Sequence, residues 1–176
     1  MRTDEEAAIA IVRALLRRRR SSAISIESVR LVVAQLHQIR RAAGARPFLD
    51  EQFLSPGESK SRNDYEREVA WQLVSEGRFV CALPATTTVD GQLTPDFVAD
   101  DMLVDAKSIG GRLVARRVRR AVGQTGFSGG ILILRVADSD YVPLARQVIM
   151  AAVASGALKF VRLLSADGTV ETFGEW

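Results

Sequence analysis

The residues best placed for chemistry are two aspartates and a lysine in one short stretch. Asp96 and Asp105 lie in two predicted strands joined by the turn Asp100-Asp101, because aspartate tolerates left-handed backbone and bonds its own turn. The hairpin register sets Asp96 opposite Asp105, and the alternation of side chains puts Lys107 on the same face. Opposed carboxylates repel unless a cation lies between them, and Mg²⁺ binds through such carboxylates plus substrate phosphate oxygens. An amine beside them could hold an attacking water or a phosphoryl oxygen, so the pattern is typical of a phosphodiesterase site.

A structural role for the same residues is the alternative. Asp100-Asp101 can be turn residues without chemistry. Asp96 and Asp105 can both face solvent on an edge hairpin, with Lys107 softening their repulsion. Short acidic motifs recur by chance, so the choice depends on the rest of the chain.

Composition bounds the class of protein. The chain has 176 residues, of which 47% are apolar and 26% charged, and this indicates one globular domain with at most a small addition. No apolar run approaches the roughly 20 residues that span a bilayer. The first residues lack the basic-then-apolar order of a signal peptide, so we expect a protein that works in cytoplasm. Arginine supplies 21 of the 24 basic residues, a bias that suits phosphate binding and that codon composition could equally produce.

The single histidine and the single cysteine exclude several kinds of site. One histidine cannot supply a two-histidine ribonuclease pair, a His-Asn-His nuclease finger or a Cys/His zinc site. His37 lies on a predicted helix and Cys81 in an apolar run, so we expect a structural or surface histidine and a small buried cysteine. A nucleophile pair formed by the two is the formal alternative.

Residues 1–45 predict a helical N-terminal extension with two amphipathic helices, Ala7–Arg20 and Ser25–Ala43. Thr3 and Glu6 form a capping box ahead of the first helix. Helices this short either pack on the rest of the chain or bind a partner. The four consecutive arginines that end the first helix either complement its dipole or contact phosphate, and the sequence leaves both open.

Residues 46–63, rich in proline, glycine and serine, are predicted as a linker to a domain over 64–176. This domain opens with a predicted helix, Asp64–Glu76. Glu66 falls on the inward apolar face, where an acid needs a partner, a cation or a shifted pKa, so it is a third candidate acid of the site. The alternative is a first-turn glutamate favoured by the helix dipole. Glu68 falls on the outer face and is expected to be solvated.

A basic helix follows the hairpin, from Gly110-Gly111 to about Thr125. Its five arginines have no acid among them, so they repel one another unless a polyanion meets them. We therefore favour nucleic-acid contact over a merely solvated face. Gln124, one helical turn beyond the last arginine, could also reach a phosphate. The arginines are Arg112, Arg116, Arg117, Arg119 and Arg120.

The remaining pattern completes a mixed α/β domain. Ile131–Val136 is apolar except for one residue, which is typical of a buried strand in a partly parallel sheet entered through a right-handed crossover. A helix at Pro143–Ala154 and a final hairpin, Lys159–Leu164 with Thr169–Phe173, follow. The predicted order from Asp64 is helix, three strands, helix, strand, and then an added helix and hairpin.

That order, together with Glu66, Pro95-Asp96 and Asp105-Ala106-Lys107, resembles the PD-(D/E)xK nuclease superfamily over about Asp64–Val136. The resemblance implies a restriction-endonuclease-like αβββαβ core, in which a mixed sheet is flanked by helices, with a C-terminal helix plus β-hairpin added. It also implies that Mg²⁺, for which Mn²⁺ can substitute, binds Asp96, Asp105 and the Ala106 carbonyl. Lys107 would position or activate the attacking water, and Glu66 would hold a further water or complete the coordination.

Three phrases are most similar to the transfer-RNA-cleaving C-terminal toxin domains of contact-dependent growth-inhibition systems. They are Tyr65–Ala70, Thr94–Phe97 and Val104–Ser108, and the helix after the lysine strand in such domains often carries a glutamine, as Gln124 does here. The resemblance implies a metal-dependent endonuclease that acts on RNA in the cytoplasm of a target cell and an immunity protein that covers its site. Those domains end much longer proteins, whereas this chain begins at Met1.

Three other functions stay open on the sequence. One is a DNA endonuclease of the restriction or Holliday-junction-resolvase type, which the same motifs fit. Another is a non-catalytic nucleic-acid-binding member of the fold, which would have no reason to keep both aspartates and the lysine. The third is a protein-interaction module built on the helices of Thr3–Ala43.

Overall fold

The computed structural model of the chain describes residues 3–19, 25–55, 57–58, 63–85, 94–111, 114–127 and 130–176. These residues form a mixed α/β fold with five α-helices and seven strands, in agreement with the predicted class. The specific restriction-endonuclease-like core stays a prediction. Contacts divide the chain into a first unit, Met1–Leu103, and a second unit, Val104–Trp176. None of the described helices has the length and apolarity needed to cross a membrane.

The helices are α1 (Asp4–Arg19), α2 (Ile26–Ala42), α3 (Asp64–Ser75), α4 (Val114–Phe127) and α5 (Val142–Ala154). The strands are β1 (Leu49–Asp50), β2 (Val80–Ala82), β3 (Phe97–Ala99), β4 (Met102–Ile109), β5 (Ile131–Val136), β6 (Phe160–Ser165) and β7 (Val170–Gly174). The strands lie in the sheet in the order of the chain, with both parallel and antiparallel pairs.

Capping side chains fix the helix ends of the first unit. The Thr3 amide donates to Glu6 Oε2 at 3.1 Å, and the Glu6 amide donates to Thr3 Oγ1 at 3.3 Å, which is the predicted capping box. Ser25 caps α2, and Asn63 Oδ1 accepts from the Glu66 amide at 2.8 Å to start α3. The three helices predicted before residue 77 are confirmed.

Residues 46–63, predicted as a linker, contribute β1 to the sheet. This strand runs parallel to β2, with Leu49 beside Val80 and Asp50 beside Cys81. Two residues are too few to carry a periodic signal, so the sequence pattern did not predict this strand.

A buried ion pair joins β1 to α2. Arg40 Nη1 lies 2.6 Å from Asp50 Oδ2, and the two side chains are only 7% and 5% exposed. Arg40 Nε also donates to Glu5 Oε1 of α1 at 2.8 Å. Burial by itself would lower the pKa of Arg40, but the bonds to Glu5 and Asp50 raise it above its ordinary value. The pair therefore fixes α1, α2 and β1 in one arrangement, because a buried charge without its partner is costly.

The apolar core of the first unit lies between α1, α2 and the strands β2 and β3. The two N-terminal helices thus bury their apolar faces within this unit. The buried residues of this core are Val12, Leu16, Val29, Val33, Cys81, Leu83, Val98 and Leu103.

In the second unit β4, β5 and β6 run parallel, as predicted for β5. Parallel neighbours need crossover connections, which α4 and α5 supply. Every residue of β5 is buried except Arg135, so the strand is covered on both faces. The core contains Val114, Val118 and Ala121 of α4, Leu132, Leu134 and Val136 of β5, Ala145, Ile149 and Ala152 of α5, and Val161 and Leu163 of β6.

Replacing Asp50 by asparagine should lower the free energy of unfolding by roughly 3 kcal/mol, because Arg40 stays buried and charged but loses one of its two carboxylates. Equilibrium urea denaturation measures this loss. The matched control is Glu27→Gln, which breaks a more exposed pair with Arg30 and should cost less than about 1 kcal/mol. Equal losses of unfolding free energy in the two variants would show that the buried pair stabilises the protein no more than the exposed pair does.

Candidate functional site

Asp100 holds the turn between β3 and β4. Its φ of 52° lies in the left-handed region, as the sequence predicts for an aspartate in a tight turn. One carboxylate oxygen accepts from the Phe79 amide at 3.1 Å and from Arg41 Nη2 at 2.8 Å. The other accepts from Arg78 Nη1 at 3.2 Å, and the Asp100 amide donates to the Phe79 carbonyl at 2.8 Å. The predicted turn is confirmed, and its aspartate also ties α2 and the segment before β2 to the hairpin.

Helix α2 contacts the same turn through His37, whose side chain is buried at 1% exposure. His37 Nδ1 donates to the Asp100 carbonyl oxygen at 2.7 Å, while its buried Nε2 has no hydrogen-bond partner among the described residues. Arg30 Nη1 donates to the Asp101 carbonyl oxygen. Burial is the main reason that the pKa of His37 lies below its ordinary value, and the charge of Arg40 lowers it further. His37 is therefore a buried, structural histidine, the first of the two roles expected for it, and not a surface one.

Asp105 and Lys107 lie side by side on β4. Lys107 Nζ is 3.4 Å from Asp105 Oδ1, as the alternation of side chains along a strand predicts. The Asp105 side chain is 7% exposed and that of Lys107 27%, so the carboxylate is buried while the lysine side chain is partly exposed. Ala106, which comes between them, is buried. A charged pair at this depth interacts more strongly than it would in bulk water.

A cleft of about 180 Å³ in the first unit, here called the acidic cleft, is lined by both Glu66 and Asp96. Glu66 is half-buried in the first turn of α3, where Asn63 Nδ2 donates to its Oε1 at 2.7 Å. Asp96, also half-buried, comes directly before β3. Glu66 therefore belongs to the first turn of the helix and also lines the cleft, and its role as a site acid stays a prediction. Glu68 is exposed, as expected.

The acidic cleft contains a third acid, Glu58, that the sequence analysis did not single out. The Ser55 amide donates to Glu58 Oε2 at 2.8 Å, and the Glu58 amide donates to Ser55 Oγ at 3.3 Å. This reciprocal Ser-x-x-Glu pattern is a capping box. It is the signal in the proline- and glycine-rich segment that identifies Glu58. The other residues of the cleft are Leu54, Leu83, Ala85, Thr94 and Pro95.

The candidate site residues include carboxylates that could bind a divalent cation such as Mg²⁺. Within the described ranges, no three His, Cys, Asp or Glu side chains are grouped as the ligands of one metal ion. Mg²⁺ needs no such cage, because it keeps several waters and takes one or two carboxylates together with substrate phosphate oxygens. Asp96, Glu66 and Asp105 each carry the carboxylate oxygens that Mg²⁺ prefers, and the binding of one ion by them stays a prediction.

Helix α4 presents the predicted basic face. Arg116, Arg117, Arg119 and Arg120 are exposed, and none of them pairs with an acid in the part of the chain that the structure describes. Arg117 Nη1 donates to the Gly110 carbonyl at 2.8 Å, which bonds the helix to the end of β4. Val114 and Val118 face the core, as predicted, and Gln124 is half-buried.

The structure brings the predicted site residues together in two pairs. Glu66 and Asp96 share the acidic cleft of the first unit, and Asp105 contacts Lys107 in the second. Arg112 lies outside the described residues, as do residues 86–93 of the predicted loop. The convergence of all four site residues on one metal ion stays a prediction.

Comparisons with known proteins add one distant likeness. No family model matches the chain, and no curated protein matches it. A solved structure described as a CdiA-CT/CdiI toxin and immunity complex from Burkholderia pseudomallei is similar at 20% identity and a TM-score of 0.41. The match covers 62% of this chain and 82% of the other. A likeness this low assigns neither a fold family nor a function.

The first unit should become less stable at acidic pH because His37 is protonated more readily in the unfolded chain than in the folded one. The unfolded chain takes up the proton near the ordinary histidine pKa of about 6.5, whereas the folded chain resists it. The folded pKa is the lower one, so this contribution to stability is complete above about pH 6.5 and is lost as the pH falls below that value. We expect the free energy of unfolding to fall by up to about 1.4 kcal/mol per pH unit in this range.

Urea denaturation at about pH 7.5 and about pH 5.5 measures this effect. The comparison variant is His37→Gln, whose amide can still donate to the Asp100 carbonyl but does not titrate. Its stability should fall less between the two pH values than that of the parent. An equal fall in both proteins would show that other groups carry the pH dependence.

Proposed function

We propose that this protein is a metal-dependent endonuclease that hydrolyses phosphodiester bonds in nucleic acid, with RNA as the favoured substrate. The observation that carries the proposal is the pair formed by Asp105 and Lys107, a buried carboxylate 3.4 Å from a partly exposed amine on one strand. The half-buried acids of the acidic cleft support the same chemistry.

Each candidate site residue has a defined task in this proposal. The Lys107 ammonium, held by Asp105, donates to a phosphoryl oxygen or orients the attacking water. Asp96, Asp105 and the Ala106 carbonyl are the proposed ligands of Mg²⁺, for which Mn²⁺ can substitute, and Glu66 holds a water. Bound Mg²⁺ supplies Lewis-acid polarisation of the phosphoryl group and lowers the pKa of water.

The substrate is proposed to lie against the basic face of α4. Its exposed arginines have no acidic partner among the described residues, and guanidinium groups match phosphate oxygens with a planar fork. Arg116, Arg117, Arg120 and Gln124 would hold the polynucleotide backbone, together with Arg112. Backbone contacts of this kind position a substrate without reading its sequence.

The choice of RNA, and of transfer RNA in particular, depends on the resemblance of three sequence phrases to toxin domains of contact-dependent growth-inhibition systems. They are Tyr65–Ala70, Thr94–Phe97 and Val104–Ser108. The same resemblance supports an immunity protein as the partner that blocks the site and the cytoplasm of a target cell as the place of action. A DNA endonuclease is the second candidate, since phosphate contacts are shared by both nucleic acids.

Lys107→Met and Asp105→Asn should each lower cleavage by roughly 10³-fold or more, because each removes a charge that acts directly on the phosphodiester. Purified protein is incubated with total RNA and with plasmid, in Mg²⁺ and in chelator, and the products are resolved on gels. The matched control is Lys159→Met, which removes an exposed lysine of the same unit and should leave cleavage unchanged. Full activity in chelator, or parental activity of Asp105→Asn, would refute the proposal.

The double variant Asp96→Asn/Asp105→Asn tests whether the two aspartates act in one reaction. Residues that act as a unit are strongly non-additive, so the double variant should be little slower than the slower single variant. The rate of RNA cleavage in Mg²⁺ measures this coupling. Multiplicative losses would show that Asp96 acts independently of Asp105.

A further inference from the structure

A surface groove of about 440 Å³, here called the α1 groove, runs beside α1 in the first unit. It is larger than the acidic cleft, and neither the basic face of α4 nor the predicted acidic site uses it. Its lining residues are Arg13, Leu16, Arg17, Gln52, Phe53 and Pro84.

The α1 groove has basic walls and an apolar floor. Arg13 and Arg17 are one helical turn apart, so their exposed side chains lie on the same face of α1. Leu16 is buried beneath them, and the half-buried ring of Phe53 packs against the core of the unit. Pro84 adds a further apolar surface. An apolar floor under two guanidinium groups suits a nucleotide, whose sugar and base are apolar on their faces and whose phosphate is charged.

The two guanidinium groups have no acidic partner among the described residues. Arg13 Nη2 donates to Gln52 Oε1 at 3.4 Å, and Arg17 Nε donates to the Arg13 carbonyl oxygen at 3.3 Å. Both contacts orient the side chains but neither neutralises a charge. The groove is also free of acidic lining residues in the described part of the chain. It is therefore a positively charged surface that an anion can occupy.

The α1 groove adjoins the acidic cleft through consecutive residues of the chain. Phe53 lines the groove and Leu54 lines the cleft. Pro84 lines the groove, while its neighbours Leu83 and Ala85 line the cleft. Adjacent residues are about 3.8 Å apart along the backbone, so the two share a wall. The groove and the cleft therefore lie next to each other on either side of the same stretches of chain.

We infer that the α1 groove binds the sugar–phosphate backbone of the nucleic acid next to the phosphodiester at the acidic cleft. The inference deepens the proposed nuclease function and rests on it. Arg13 and Arg17 contact successive phosphates, and Phe53 packs against a sugar or base between them. A polynucleotide fits better than an acidic protein, because the groove lies beside the cleft where the phosphodiester is proposed to lie.

The test is a binding measurement with full-length protein that cannot cut the probe. In an Asp105→Asn background, fluorescence anisotropy follows a fluorescein-labelled RNA hairpin and a labelled DNA duplex of the same length over a range of salt concentrations. Arg13→Gln and Arg17→Gln are compared singly with Arg46→Gln, an exposed arginine of the same unit outside the groove. Thermal unfolding of each variant confirms that it is folded.

Arg13→Gln and Arg17→Gln should each raise the dissociation constant roughly tenfold at about 50 mM salt and lower the salt slope by about one. Arg46→Gln should change the dissociation constant by less than about twofold. Groove variants that bind both probes like Arg46→Gln would overturn the inference, and so would a parent that binds neither probe. Loss of RNA binding alone or of both probes supports it and identifies the nucleic acid that the groove accepts.

Cleavage by protein with the native Asp105 separates this inference from the proposed function. If the parent cuts RNA or plasmid and Arg13→Gln and Arg17→Gln cut as fast at low substrate concentration, the groove inference fails while the nuclease stands. If the parent binds through the groove but cuts neither substrate with Mg²⁺ present, the nuclease proposal fails and a nucleic-acid-binding protein is left.

Discussion

The arrangement of the first unit depends on Asp100, one residue held in left-handed backbone. Its carboxylate accepts from Arg41, Arg78 and the Phe79 amide, and its carbonyl accepts from His37. A tight turn alone would leave the direction of the following strand to the sheet. Here His37 and Arg41 of α2, in the same unit, bond to the turn and fix its position. Asparagine could adopt the same φ but would lose the negative charge that two arginines share.

Much of the fold could be predicted because its signals are local. Helix ends follow from Thr3, Ser25 and Asn63, whose side chains satisfy the first backbone amides of a helix. The apolar run of β5 identifies a strand covered on both faces, and the structure agrees. What could not be predicted is non-local. The pair of Arg40 with Asp50 joins residues whose separation carries no periodic signal, and it buries two charges that composition would place in solvent.

The candidate site shows the same division. Strand alternation alone places Asp105 beside Lys107, and the 3.4 Å contact follows from it. The cleft shared by Glu66 and Asp96 needs the packing of α3 near the start of β3, which a single sequence suggests only through the inward face of the helix. The α1 groove has no signature in the chain at all, because its walls come from segments separated by tens of residues. The sequence therefore predicts which side chains are neighbours along a strand, but it does not predict the shape of the surface.

The one cysteine of the chain gives a consequence of a different kind. Cys81 lies in the middle of β2, is fully buried, and contributes to the core that α1 and α2 cover. A thiol reagent can reach its sulfur only when that layer of helices lifts from the strands, so the rate of alkylation reports how often the lifting occurs. Alkylation of Cys81 therefore measures the local opening of the N-terminal half of the protein without an engineered label.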